Sequence, residues 1–269
     1  MPISTGVFIA YDVSNAILID QEDSRELIEN GVCYVGAGFY PGISGLLLKR
    51  VTDELLDQTD CVKCYVGGAE RYTKTSLSDI LMSAYSSIGK TDCYWKENGI
   101  VEDKINMLKK EFVSGIDAPV YKKLFISREI LDILKLRKIE ELHWYNIASN
   151  DFMLRLAVQF YQLQQEASLE DALKQLQLHL GEQSKDEWIA LVIDALGMKN
   201  GKNVRWQLNL QVESSYEMTG TVAAQVARNV IHTKRSNGIY WANEVLPLDF
   251  VNHYNFSNDY DFYDEKIRS

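Results

Sequence analysis

The turn Gly36-Ala37-Gly38-Phe39-Tyr40-Pro41-Gly42-Ile43-Ser44 constrains the fold of this chain more than any other feature. It follows the strand-like run Val32–Val35 and leads into an apolar helical pattern. Glycines permit tight turns and close backbone approach, and proline fixes one backbone angle. A helix that begins near Ile43 would direct its free N–H groups at whatever lies over the turn. The turn therefore predicts either a ligand-facing loop or a plain strand-to-helix connection.

Composition and charge exclude several classes of function. The chain has 269 residues, 38 acidic against 28 basic, and a formal net charge of −10. A nucleic-acid-binding surface needs clustered positive charge, so no nucleic acid partner is expected. No apolar run approaches the ~20 residues of a membrane span, and the N-terminal residues lack a basic region followed by an apolar stretch. We therefore expect a cytoplasmic protein without a membrane partner.

Two of the four cysteines form a single CxxC, Cys61-Val62-Lys63-Cys64, inside the strand-like segment 61–67. Residues i and i+3 of a strand lie on opposite faces, which suits neither a metal nor a disulfide. A zinc site would also need two further ligands at similar spacing. The pattern favours ordinary strand cysteines, with a redox pair as the alternative, and no metal is expected.

Alternation and turn residues predict several strands. Asn-Gly is the strongest short-range hairpin signal, and it occurs in Glu97-Asn98-Gly99. A second turn is predicted at Lys199-Asn200-Gly201-Lys202. The predicted strands are 7–19 (a strand and turn), 32–35, 61–67, 91–96, 100–103, 118–125, 142–148, 188–196 and 204–214.

Helical periodicity predicts amphipathic helices between these strands. Ser127 and Ser168 are predicted to cap two of them. Small residues on the last helix, Gly220, Ala223, Ala224 and Ala227, are expected to allow close packing against a sheet. The predicted helices are 23–30, 44–58, 76–87, one from 127, 151–166, 168–180 and 219–233. The fold class expected is α/β or α+β, with a mixed, largely antiparallel sheet and flanking helices.

Four stretches, in this order, resemble the saccharopine dehydrogenase-like oxidoreductases. They cover residues 31–247, nearly the whole chain. They are the turn 36–44; Tyr65-Val66-Gly67-Gly68 with Thr75-Ser76-Leu77-Ser78-Asp79-Ile80-Leu81 and Ser83; the hairpin 94–100; and Gly238-Ile239-Tyr240-Trp241-Ala242-Asn243-Glu244-Val245-Leu246.

The resemblance implies an enzyme that joins or cleaves an amine and a keto or aldehyde carbon through an imine. Its cofactor would be NAD(P). The family fold is a Rossmann domain plus a second domain whose sheet often mediates dimerisation. By this resemblance the cofactor contacts are Gly38, Phe39, Pro41 and Gly42, and the substrate contacts are Arg71, Tyr72, Lys74 and Ser76. Tyr40 is the candidate catalytic residue, as a proton donor or as a wall of the pocket.

The sequence departs from the family at the dinucleotide fingerprint, G-x-G-x-x-G after the first strand. That motif is absent, and only about 35 residues precede the turn. Weak or no NAD(P) binding by this chain alone is therefore expected, because the backbone contacts that hold a pyrophosphate are missing. The domain organisation predicted is a Rossmann-like remnant over 1–45, a substrate and dimerisation domain over 46–253, and a polar, acidic arm over 254–269.

The sequence leaves several interpretations open. The chain is either an oxidoreductase acting as a homodimer or with a complementary Rossmann-domain chain, on a small amine and keto-acid substrate, or a non-catalytic binding or interaction domain. A fragment with no independent role is the third. His143 is expected to be a structural strand histidine, on the face opposite Trp144, with a general acid–base role as the alternative.

Overall fold

The computed structural model describes residues 7–9, 31–83, 89–103, 109–163, 165, 167–182, 187–253 and 256–262. Alternating and β-branched segments form the strands, as expected from their period of two. The strands are β1 Val7–Ile9, β2 Val32–Val35, β3 Gln58–Ala69, β4 Gly89–Thr91, β5 Cys93–Lys96, β6 Gly99–Glu102, β7 Tyr121–Ser127, β8 Ile139–Ala148, β9 Trp188–Lys199, β10 Lys202–Val212, β11 Gly238–Trp241 and β12 Phe256–Phe262.

Six α-helices lie between the strands in the described part of the chain. They are α1 Ile43–Arg50, α2 Lys74–Ser83, α3 Arg128–Leu136, α4 Phe152–Leu163, α5 Leu169–Gln177 and α6 Ser215–Val230. A π-helical stretch, Val51–Leu55, continues α1. The Ser127 and Ser168 side chains accept the backbone N–H groups of Ile130 and Asp171, so both predicted caps are confirmed.

Two sheets organise the described residues. A small parallel sheet has the order β1-β2-β11, with Val35 opposite Trp241. The large sheet has the order β12-β10-β9-β3-β8-β5-β6, and β7 pairs with β8 and with β4. Its pairings are antiparallel apart from β3 with β8. The predicted fold class, a mixed and largely antiparallel sheet with helices, is confirmed.

Three clusters of buried side chains form the core. The largest joins α1, α3 and α6 to one face of the large sheet. A second lies on the opposite face, under residues 113–120. The third joins α2, α4 and α5, where Phe152, Leu156 and Phe160 are buried. These apolar side chains of α4 are therefore part of the core.

Both predicted hairpins are confirmed. Glu97 and Asn98 form the first turn with φ of 49° and 66°, and Asn200 and Gly201 form the second with φ of 51° and 73°. Positive φ at both central residues gives the twist that adjacent antiparallel strands need.

Two helix predictions were wrong in their detail. The helix predicted over 44–58 ends at Leu55, because Gln58 pairs with Met198 in the β3–β9 ladder. On α6 the buried residues are Met218, Val222, Val226 and Val230. Gly220 and Ala224 are exposed, whereas Ala223 packs against the core, so the predicted packing through small residues holds only in part. The larger Met and Val side chains at every fourth position bury more apolar area than glycine and alanine do.

Some predictions fall outside the described residues, namely the helix 23–30, the strand beyond Ile9 and the end of the helix after Ser83. The predicted C-terminal arm begins at 254, and within it β12 pairs with β10 along seven residues. Residues 256–262 of this arm therefore form a strand of the large sheet. Strand β11, from the predicted substrate domain, completes the small sheet next to β2.

Candidate functional site

A cavity of about 910 Å³ lies where β2 and β11 end. The turn that follows β2 contributes Phe39, Tyr40 and Pro41 to the wall of the cavity. Trp241, the last residue of β11, also lines it. Helices α2, α4 and α6 also line it. The crevice beyond the carboxyl ends of parallel strands is the usual ligand site of α/β sheets. The cavity is therefore the candidate functional site.

The floor of the cavity carries two polar side chains from neighbouring strands. Lys123 on β7 lies directly opposite Asn146 on β8. Both residues line the cavity, and Asn146 in turn lies beside Val66 on β3. The surrounding floor is largely apolar. A lysine ammonium beside an amide is suited to bind a carboxylate. Neither residue was predicted from the sequence.

The turn closes on itself through backbone hydrogen bonds. The N–H of Gly38 donates to the Pro41 carbonyl at 3.1 Å, and that of Ile43 donates to the Gly38 carbonyl at 3.0 Å. Gly42 has a φ of 131°, and a Cβ there would lie 2.1 Å from the Gly38 carbonyl oxygen. Only glycine fits at such a position. The N–H of Phe39 donates to Thr219 Oγ1 on α6 at 3.1 Å, which fixes the turn against that helix.

A buried carboxyl group, Glu129, lies behind the turn and belongs to the lining of the cavity. It is the second residue of α3 and is 1% exposed. Its Oε1 accepts the Gly42 N–H at 3.0 Å and the Asn243 side-chain amide at 2.6 Å, and its Oε2 accepts the Ser44 hydroxyl at 2.8 Å. Burial raises the pKa of Glu129 to about 7, even though these three bonds and the Lys49 charge lower it.

The N-terminus of α1 therefore has no donors left for a ligand at its first residues. The N–H of Gly42 is bound by Glu129, and those of Ile43 and Ser44 by carbonyls of the turn. The expectation that this helix directs free N–H groups over the turn was wrong. Carbonyl groups of the turn and the Glu129 carboxylate together bind these three donors.

The residues predicted to contact NAD(P) lie together in this turn. Phe39 and Pro41 line the cavity, whereas Gly38 and Gly42 make the backbone bonds within the turn. A pyrophosphate needs backbone N–H donors and a helix N-terminus. The N–H groups of Gly38, Phe39, Gly42, Ile43 and Ser44 are already bonded within the protein, so this part of the turn does not fit that group.

Tyr40, the candidate catalytic residue, stacks on Trp144 with ring centroids 5.7 Å apart. Burial raises the pKa of Tyr40 far above its usual value, so the hydroxyl stays protonated at neutral pH. A phenol with so high a pKa is a weak proton donor at neutral pH. The geometry favours the wall over the proton donor, and the catalytic role stays a prediction.

Glu70 is a second carboxyl group in the cavity, and it was not predicted from the sequence. It follows β3 and lies at the start of α6, where it accepts the N–H of Ser215 at 3.1 Å and bonds to the Ser215 hydroxyl. Burial is the largest influence on its pKa and raises it above the usual range. A carboxyl group whose pKa is raised can keep a proton for donation.

The predicted substrate contacts divide into two groups. Tyr72 and Ser76 line the cavity. Arg71 and Lys74 are exposed and do not belong to its described lining; Arg71 lies 3.7 Å from Glu187. Thr73 and Ser76 cap α2 reciprocally, with the Thr73 N–H on Ser76 Oγ at 2.8 Å and the Ser76 N–H on Thr73 Oγ1 at 3.1 Å.

Histidine and cysteine take structural positions. His143 is bonded to Glu141 at 2.7 Å and stacks on Tyr94 with centroids 4.4 Å apart. It is therefore a bonded strand histidine, as expected. Cys61 is half-buried and Cys64 fully buried, on opposite sides of β3. Within the described residues no cluster of three potential metal ligands occurs.

Comparison with known proteins does not assign the chain to a family. No protein-family model matches the sequence, and no curated protein matches it. None of the helices in the described ranges is both long and apolar enough to cross a membrane.

Proposed function

We propose that this chain is the substrate-binding part of a cytoplasmic, NAD(P)-dependent oxidoreductase resembling the saccharopine dehydrogenases. The reaction proposed is the reduction of an imine formed between an amine and a keto or aldehyde carbon. The position of the cavity carries the proposal. It lies at the carboxyl ends of β2 and β11, against the turn whose residues carry the resemblance.

The cavity offers complementary groups for such a substrate. Lys123 and Asn146 are placed to bind a substrate carboxylate on the floor. Glu70 is placed at the start of α6 to exchange a proton with the substrate nitrogen, and burial raises its pKa above the usual range. Phe39, Tyr40 and Pro41 provide an apolar wall that excludes water from the reacting atoms.

The cofactor needs a second binding element, since the turn does not fit a pyrophosphate. We propose that a complementary Rossmann-domain chain binds the phosphates, and that the protein acts as a homodimer or with that chain. The cofactor bound there would supply the hydride, while the residues of this chain bind, orient and protonate the substrate.

Titration of NADPH against the purified chain tests the need for a second element. We expect weak or undetectable binding by calorimetry, and a Kd below ~10 μM would contradict it. Mixing the chain with a Rossmann-domain protein encoded beside it should then produce NADPH oxidation when an amine and a keto acid are added. A mixture that binds NADPH but does not oxidise it would contradict the proposed oxidoreductase activity.

A second candidate is a small-molecule-binding domain without redox chemistry. The start of α1 favours it, because the N–H groups of Gly42, Ile43 and Ser44 are bound within the protein. In that case an amine or a keto acid should raise the melting temperature of the chain without NADPH. No combination of partner chain and cofactor should then produce NADPH oxidation.

A further inference from the structure

Glu129 connects three segments that are distant in the chain. Its carboxylate contacts Gly42 and Ser44 at the start of α1 and Asn243 in the turn after β11. The first two follow the cavity wall formed by Phe39, Tyr40 and Pro41, and Asn243 follows the wall residue Trp241. One side chain therefore holds both walls that the small sheet contributes to the cavity.

The backbone at Gly45 is fitted to this contact. A Cβ on Gly45 would lie 2.4 Å from Glu129 Oε1 and 2.5 Å from Asn243 Nδ2. The helix approaches the carboxylate this closely only because residue 45 has no side chain. The site is thus built around the carboxyl group.

The three donors differ in what they can do when a proton arrives. The Gly42 N–H and the Asn243 amide only donate, and both use Oε1. The Ser44 hydroxyl, on Oε2, can rotate and accept instead. A proton on Oε2 can therefore be donated to the Ser44 hydroxyl oxygen, and no donor is left facing another donor there. The bonds to Oε1 persist but lose the charge that makes them strong, which is roughly half of their strength.

The charged surroundings make both forms accessible. Lys49 is the nearby cation; its Nζ donates to the Asn243 carbonyl at 3.1 Å and to Asn243 Oδ1 at 3.3 Å. Asn243 thus separates the ammonium from the carboxylate. The charge of Glu129 in turn raises the pKa of Tyr40, while the pKa of Lys49 is also influenced by the charges of Arg137, Glu244 and Asp53.

We propose that Glu129 is a proton-linked positioning residue, which holds the two cavity walls firmly when ionised and loosely when protonated at Oε2. Protonation weakens the bonds to Gly42 and Asn243, so the wall residues gain freedom and the affinity of the cavity for its ligand changes with pH. The proposal concerns the wall alone and holds whether or not the bound molecule undergoes redox chemistry.

Nuclear magnetic resonance at a series of pH values tests the proposal on the isolated chain. The reporters are the Gly42 amide and the Asn243 side-chain amide, which contact Glu129, and the Phe39 amide, which contacts Thr219 and reports on the wall. All three should titrate together, with a midpoint near 7. Absence of a titration in the neutral range, or a Phe39 amide that does not follow the other two, would overturn the proposal.

Three variants identify the group that titrates. Glu129→Gln should abolish the shared titration, and Glu140→Gln, at an exposed position on β8, should leave it unchanged. Ser44→Ala should raise the midpoint, because the bond lost from the charged form is the stronger one. The Ser44 variant and the wild-type titration stay informative if Glu129→Gln fails to fold. A midpoint that Ser44→Ala lowers or leaves in place would contradict protonation at Oε2.

Discussion

The side-chain amide of Asn243 donates a 2.6 Å hydrogen bond to the carboxylate of Glu129, 114 residues earlier in the chain. It joins the turn after β11 to the first turn of α3. On its other side Asn243 accepts from Lys49 at 3.3 Å. The buried Glu129 carboxylate therefore bonds to neutral donors. The Asn243 side chain separates it from the nearby cation, Lys49. A charge in such a place makes stability depend on protonation.

Replacement of Glu129 by glutamine should change how stability depends on pH. The pKa of Glu129 is 4.5 in the reference state and about 7 in the fold. The folded state binds this proton more tightly than the unfolded state does. Protonation of Glu129 therefore stabilises the fold fully below pH 4.5, and this stabilisation is lost as the pH rises through 7. The free energy of unfolding of the wild type, relative to Glu129→Gln, should fall by about 3 kcal/mol over that window.

Urea unfolding at a series of pH values measures this difference. Glu140→Gln, which replaces an exposed glutamate, should run parallel to the wild type throughout. Parallel curves for Glu129→Gln would show instead that Glu129 has the same pKa in the folded and unfolded states.

A methyl group at Gly45 should destabilise the fold. In Gly45→Ala the new Cβ would meet the Glu129 carboxylate at 2.4 Å, and this overpacking costs about 1–3 kcal/mol or more. Gly220→Ala is the matched control, because residue 220 lies inside α6 with nothing within 4 Å of the position that its methyl group would occupy. There alanine should stabilise by about 0.5–1 kcal/mol. Urea unfolding of both variants tests the pair, and equal shifts would contradict the contact.

The local elements of this fold could be predicted from the sequence because their signals are local. The Asn-Gly hairpin, the Ser127 and Ser168 caps and the β-branched strand Val32–Val35 each depend on a few neighbouring residues. Helix ends were less predictable. Gln58 joins a strand because Met198, far along the chain, offers it a partner.

The site was less predictable, because it depends on contacts between distant segments. Lys123 and Asn146 meet only through the register of β7 on β8. Glu129 reads locally as an ordinary acidic residue in the first turn of a capped helix, and its burial is set by Gly42, Ser44 and Asn243. The turn was identified from its own glycines and proline, whereas the family resemblance indicated Arg71 as a substrate contact, and Arg71 is exposed.

Removal of the Glu70 carboxyl should slow the proposed reaction at the proton-transfer step. Glu70→Gln keeps the shape and one acceptor for Ser215, but it cannot donate a carboxylic proton. The kcat should fall roughly 100- to 10,000-fold with little change in KM. Glu187→Gln is the control, since Glu187 lies near Glu70 but is exposed and pairs with Arg71. Steady-state NADPH oxidation measures both, and an equal loss in the two variants would exclude a specific role for Glu70.

Lys123 should determine the affinity for an anionic substrate. Lys123→Met keeps the length of the side chain and removes its charge, so a carboxylate loses its charged hydrogen bond on the cavity floor. Binding of a keto acid, measured by calorimetry, should weaken about 10- to 100-fold. Lys90→Met supplies the control, because Lys90 is exposed on β4, the strand that pairs with β7 on its other side. If both variants bind the keto acid as the wild type does, the carboxylate does not lie beside Asn146, and the orientation proposed for the substrate is wrong.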